Sequence, residues 1–288
     1  MKQFAGDRIF NGLNVLLLSL VALVTFFPIY YVLVVSFTDP SEYMKNQFIV
    51  FPQKWSTISY EYLLSSKAFV NSLGASAYLA VVGTLCSLVV SSALAYGLSR
   101  RRLRGRRFLM LFILITILFQ PGIIPNYMLI RQLDLINSYW AIILPALTSG
   151  WNVLLMKGFF DSLPDELEEA ASIDGCNDIS TWIRIILPLS LPALAAFGLF
   201  FAVAYWNTYF NALLYITNSA KWPIQVILQN MLISASTGDL LSTAYTEKPP
   251  SQTLKMAAVI IATVPILFVY PFLQKHFAKG ALIGSVKG

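Results

Sequence analysis

Asp165, Glu166, Glu168 and Glu169 crowd one short stretch, with Asp174 and Asp178 close behind. Paired carboxylates can act as general acid and base. These sit in a solvated helical pattern without the makings of a pocket, so no catalytic residue is assigned. No G-x-x-x-x-G-K-[ST] loop occurs; GWNVLLMKG at 150–158 has a lysine at the wrong spacing. G-x-S-x-G, H-E-x-x-H and Cys/His clusters are likewise missing. His276 stands alone, and Cys86 and Cys176 are isolated, which gives neither metal spacing nor a disulfide framework. We therefore expect no metal and no cofactor bound by this chain. If the chain serves an ATP-driven process, hydrolysis belongs to another chain.

Two further groups can recognise rather than react. Tyr205, Trp206, Asn207, Tyr209 and Asn211 cluster in one apolar run, with Asn207 and Asn211 spaced i, i+4 on one face. Rings give flat apolar contact and amides supply a donor and an acceptor, which suits a neutral polyol or sugar, or a sugar held mainly by its hydroxyl face. The same residues also suit helix-on-helix packing, where Asn bonds across interfaces. Ser236, Thr237, Gly238 and Asp239 lie in a polar run, 218–255, expected to be an external loop with Gly238 and Pro249–Pro250 as breakers. They impose little bulk and offer hydroxyl and carboxylate partners.

The acidic stretch has its own local design. Pro164 suits a first helical turn, and Ser162 with Asp165 has capping-box spacing. The acids fall where a helix dipole is positive. Leu167, Ala170, Ala171 and Asp174 share one small-residue face, Gly175 fits a left-handed C-terminal cap, and Asp178 can cap a second helix leading to Pro188. The expectation is a short helix over about 164–175, a glycine turn and a return into apolar chain. An ordinary acidic surface helix would look the same.

The elements that hold these groups are apolar. Of 288 residues, 57% are hydrophobic and only 12% charged, against about a quarter charged in a soluble domain. Mean hydropathy is +0.67. The fold class expected is all-α: a single polytopic membrane domain, 1–288, with spans at about 13–37, 69–98, 108–130, 138–159, 189–217 and 256–273. Six transmembrane helices place both termini on one side. Pro28 is expected to kink the first span and Pro121 and Pro125 to break the outer part of the third, and Pro192 stands near the start of the fifth. Small residues in the second span allow close helix approach. With Lys157 counted among inside residues, the spans carry no Asp, Glu, Lys, Arg or His. That weighs against a proton-coupled carrier. Arg100, Arg101, Arg102, Arg104, Arg106 and Arg107 follow the second span. They fit an inside loop better than a nucleic-acid patch, and no nucleic-acid partner is expected. Both termini and the acidic stretch then fall inside, in a multi-pass protein surrounded by membrane lipid.

E-A-A at 169–171, D-G at 174–175 and I-x-L-P at 185–188 follow one another in the order of a known signature. The segment resembles the EAA loop of ABC-importer permeases. IIPNYMLIRQLDLINSYWAIILPAL at 123–147, YWNTYFNALLYI at 205–216 and KGALIGSVKG at 279–288 are similar to carbohydrate-uptake permeases of the maltose-permease type. The resemblance covers helices 2 to 6. It implies a permease subunit forming half of a translocation pathway for a carbohydrate, an oligosaccharide by its nearest-looking branch, in the bacterial cytoplasmic membrane. It also implies a related second permease subunit, two copies of an ABC ATPase that hold ATP and Mg, and an extracellular solute-binding protein. Glu169, Ala170, Ala171, Asp174 and Gly175 would form the ATPase-coupling helix. Tyr205, Trp206, Asn207, Tyr209 and Asn211 would line the substrate pathway, and Ser236, Thr237, Gly238 and Asp239 would reach the binding protein. A self-contained secondary transporter or channel is the competing expectation.

Overall fold

The computed structural model describes residues 5–46, 48–236 and 252–284, with side chains for 10–46, 48–233 and 252–269. Among them are helices α1 (Ala5–Ser36), α2 (Pro40–Lys45), α3 (Ile58–Ser65), α4 (Lys67–Ser99), α5 (Arg106–Leu118) and α6 (Ile123–Gln132). Next come α7 (Trp140–Ala146), α8 (Gly150–Asp161), α9 (Glu166–Ile173), α10 (Asp178–Thr181), a π turn (Trp182–Ile186) and α11 (Leu187–Leu189). The series ends with α12 (Leu191–Trp206), α13 (Phe210–Tyr215), α14 (Ile224–Ser236) and α15 (Gln252–Gly284). Beyond the isolated bridge of Thr38 with Trp55, the described residues hold no strand.

Three helices are long and apolar enough to cross a membrane unaided: Phe10–Ser36, Lys67–Ser99 and Gln252–Val269. Three bent pairs raise the number to six if each pair is one span: α5 with α6 at 115°, α7 with α8 at 51°, and Asp178–Leu189 with α12 at 85°. Two of the breaks have a local cause. Pro121 cannot continue α5, and Gly122 takes φ +81 at the turn into α6. Pro145 sits inside α7, and Ser149 restarts the chain by accepting from the Asn152 N–H at 3.2 Å. Helix 5 of the sequence reading is interrupted at 207–209, between α12 and α13.

By packing, the chain sorts into two units: 1–70 with 228–264, and 71–227 with 265–288. In the first, Val34, Val35, Leu63, Phe69, Ala257 and Ala258 are buried, and Ser59 Oγ donates to Thr253 Oγ1 at 3.2 Å. Its 38–66 segment is ordered by polar bonds. The Glu42 carboxylate accepts from the Gln53 and Lys54 N–H groups at 2.9 and 2.7 Å, and Tyr60 stacks on Phe37 at 4.8 Å. Leu16, Leu20, Leu23 and Phe26 on α1 are exposed, and apolar surface on that scale calls for lipid or a partner to cover it.

The second unit is built on α4. Ser76, Ser87 and Ser91 are fully buried on one stripe of it. They bond in turn to the Ile224 N–H at 2.9 Å, the Tyr205 hydroxyl at 2.9 Å and the Thr148 hydroxyl at 2.9 Å. Leu79, Ile142, Ile143, Met156, Phe160, Phe197 and Phe201 fill the core beside this stripe. The small residues expected to permit close approach do so at Gly83, where an added Cβ would stand 2.7 Å from the Tyr205 ring.

Two expectations change. The run 218–255 is not simply a loop: Asn218 caps a short turn, and α14 occupies Ile224–Ser236. IQVILQNMLIS carries apolar residues at helical spacing, which outweighs its position between two spans. The last helix also runs past 273, to Gly284, so the expected tail is helical over that length.

Gly83→Ala should force the Tyr205 ring aside and destabilise the protein by about 1–3 kcal/mol, an over-packing cost. Gly74→Ala, with nothing within 4 Å of its Cβ position, should shift the thermal unfolding midpoint of the detergent-solubilised protein far less.

Candidate functional site

The acidic stretch folds as a helix, a glycine turn and a second helix. Ser162 closes α8, its hydroxyl donating to the Phe159 carbonyl at 2.6 Å, so the capping box does not form. Helix α9 starts at Glu166 with Asp165 as an N-cap that makes no side-chain bond. Three acids lie in its first turn, which suits the helix dipole. At the other end, the Cys176 N–H bonds to the Ala171 carbonyl at 2.9 Å and the Gly175 N–H to the Ser172 carbonyl at 3.1 Å. This is a Schellman closure with Gly175 at φ +77, the left-handed position expected of it. The next cap is Asn177 rather than Asp178: its Oδ1 accepts from the Ser180 N–H at 2.8 Å. Pro188 then offers no N–H, and the helix before it widens into the π turn.

The expected small-residue face is divided. Of its four residues, Ala170 and Asp174 are exposed, Leu167 is half-buried and Ala171 is buried at 2% exposure; Glu169 and Gly175, off that face, are exposed. Ile173 and Ile179 are exposed at 86% and 67%, one on each side of Gly175. These two isoleucines add apolar contact to an acidic rim, and the sequence reading passed over them. The available signal was an apolar residue on either side of the cap glycine, outside every apolar run.

Basic residues of the segment after α4, of α5 and of α8 approach the acids. Arg100 pairs with Glu168, Arg102 with Asp178, and Lys157 with Asp161, which Arg106 also faces at 3.9 Å. Burial pushes the Arg100 guanidinium below its ordinary range, and the neighbouring Tyr96 and acids pull the other way. Arg101, Arg104 and Arg107 pair with no acid among the described residues.

The aromatic cluster near 205 is not one lining. Tyr205 and Trp206 are buried. The Tyr205 hydroxyl meets Ser87 Oγ at 2.9 Å and the Ile143 carbonyl at 3.3 Å. Asn207 and Asn211 are exposed and Tyr209 half-buried. The break at 207–209 removes the i, i+4 relation expected of the two asparagines, because they flank it instead of sharing a continuous helix. Asn207 Oδ1 accepts from Gln225 Nε2 at 3.1 Å. Ser236 is the last residue of α14, and Thr237, Gly238 and Asp239 lie outside the described residues. No group of His, Cys, Asp and Glu arranged to hold a metal occurs among the described residues.

Residues 87–282 match the family of binding-protein-dependent transport system inner membrane components. The chain belongs to that family. Its place is that of a membrane permease subunit in a transport system, not of an enzyme. The permease is 46% identical to the polygalacturonan/rhamnogalacturonan transport system permease protein YtcP of Bacillus subtilis, over 98% of this chain and 99% of that one. It is 30% identical to the trehalose/maltose transport system permease protein MalG of Thermococcus litoralis over the full length of both. A solved bacterial ABC transporter involved in import of the acidic polysaccharide alginate contains a chain that superposes with TM-score 0.87 and 30% identity, covering 96% of the permease and 99% of that chain.

Tyr205→Phe should cost about 1–2 kcal/mol, since it leaves the buried Ser87 hydroxyl without this partner. Asn207→Ala, at an exposed site, should stay within about 0.5 kcal/mol. Thermal unfolding of the two purified variants checks both.

Proposed function

We propose that the permease is the transmembrane subunit of an ATP-driven ABC importer and forms half of the pathway for a carbohydrate, delivered by an external binding protein. The partners are a related second permease subunit and two copies of an ABC ATPase, which hold ATP and Mg. The observation that carries this reading is the α9 segment. It offers an exposed acidic rim, two exposed isoleucines and a left-handed glycine closure, all within the stretch that carries the EAA signature. Such a knob suits a groove on a cytoplasmic ATPase. With each bent pair taken as one span, six spans are available; in the proposed topology both termini and α9 lie on the cytoplasmic side of the bacterial cell membrane, the side assigned to the arginines of 100–107. The carbohydrate is supported by the polysaccharide and disaccharide systems named for the relatives. Two of the similar proteins serve systems for uronate-rich polysaccharides, so an oligosaccharide bearing uronic acid is the substrate class proposed. Tyr209, Asn207 and Asn211 are left as the pathway candidates of their cluster. Tyr205 and Trp206 pack the helices, and Ser236 to Asp239 are proposed to reach the binding protein.

The test is reconstitution of the permease with its partners in vesicles, with uptake of oligogalacturonate followed against ATP hydrolysis. Uptake should need ATP and the binding protein. Uptake by the purified chain alone would replace this reading with a self-contained carrier. Glu169→Lys reverses a charge on the docking rim. Gly175→Leu puts a Cβ in a left-handed position, at about 1–2 kcal/mol. Both should insert normally and lose most binding-protein-stimulated hydrolysis. Cysteine at Ser172 should react with impermeant reagents only from inside, and cysteine at Ser66 only from outside.

A further inference from the structure

Two arginines of the loop after α4, Arg100 and Arg102, and the first residue of α5, Arg106, meet three acids placed before, within and after the coupling segment: Asp161, Glu168 and Asp178. The three contacts differ in kind. Arg102 and Asp178 are both more than 60% exposed, and such pairs contribute little. Arg106 lies 3.9 Å from an Asp161 that Lys157 already holds. The Arg100 side chain is only 11% exposed and that of Glu168 only 20%. Its guanidinium lies 4.7 Å from the centre of the Tyr96 ring, and its Nε donates to Ser99 Oγ at 2.9 Å. Tyr96 in turn packs edge-on against Phe160 of α8, with centroids 6.4 Å apart. A forked, stacked and largely desolvated arginine is fixed in direction as an exposed one is not. Beside it, Tyr96, Gly97, Arg102, Asp178 and Trp182 border a cavity of about 380 Å³, so the loop is not held in place by filled packing on that side.

We propose that Arg100 is a positioning residue that locks α9 to the inner end of α4, through Glu168 and the Tyr96–Phe160 contact. Displacement of α9 is thereby passed to α4, the helix on which Tyr205, Thr148 and Ile224 are hung, instead of being absorbed in the loop. Two adjacent acids then have opposite duties: Glu168 faces the permease interior and Glu169 the outside. The inference rests on the reading of α9 as the ATPase-docking element.

The experiment uses the complete importer in vesicles and reads substrate imported per ATP hydrolysed. Wild-type complex must first show ATP-dependent uptake; its failure would remove the proposed function, whereas the variants below address Arg100 alone. Arg100→Gln and Glu168→Gln should keep basal hydrolysis and lower the import-to-hydrolysis ratio about tenfold, a size typical of coupling between sites. The exchanged pair, Arg100→Glu with Glu168→Arg, should recover a large part of that ratio, which a merely structural role would not produce. A ratio within twofold of wild type in both single variants overturns the proposal. If the single variants fail to assemble, Arg100→Lys decides. It keeps the charge without the fork, so a lowered ratio supports the lock. A normal ratio, or failure of this variant also to assemble, overturns it.

Discussion

Between Gly83 and the Tyr205 ring there is no room for a methyl group, and the larger unit depends on that closeness. A tyrosine in apolar surroundings must place its hydroxyl. This one reaches Ser87 and the Ile143 carbonyl because α4 presents glycine beneath the ring. Ser76 and Ser91 extend the arrangement to α14 and to the α7–α8 break. In lipid there is no hydrophobic gain from bringing apolar helices together, so close packing and a few hydrogen bonds must hold them. A long helix carrying small polar residues along one stripe can therefore organise several shorter, broken ones.

The breaks are the complement of that rigidity. Each leaves backbone groups needing partners at a depth where water is scarce. Ser91 Oγ donates to the Leu147 carbonyl at 3.4 Å beside one break, and Asn207 closes the end of α12 by donating its N–H to the Val203 carbonyl at 3.0 Å. Lys157 lies at the end of α8, 8% exposed, where it pairs with Asp161.

What the sequence made legible follows from range. Gly175 in a left-handed cap, the helix before it and the break at Pro121 depend on residues within one turn of each other, and they appear where expected. The capping box at Ser162 did not, because the same hydroxyl had an equally local alternative, the Phe159 carbonyl. The i, i+4 pairing of Asn207 and Asn211 presumed an unbroken helix, and no proline or glycine marks the interruption at 207–209. The inward face of Ala171 and the division of the arginines depend on α4 and α8 lying beside α9, a neighbourhood that no local pattern encodes. The positive charge at 100–107 is plain in the composition, but which arginines are engaged is a matter of tertiary geometry.

The π turn at Trp182–Ile186 has a consequence for how this protein tolerates changes in length. A π turn holds one residue more than the α-helix it interrupts, as the Leu187 N–H shows by bonding to the Trp182 carbonyl. Loss of a single residue within 182–186 would restore ordinary helical winding while leaving the bulk of the chain beyond it in phase. The same loss inside α4 would turn every following residue by about 100° and carry its serine stripe away from Tyr205. A one-residue deletion should thus be absorbed at the return from the coupling segment and rejected along the helix on which the rest is hung.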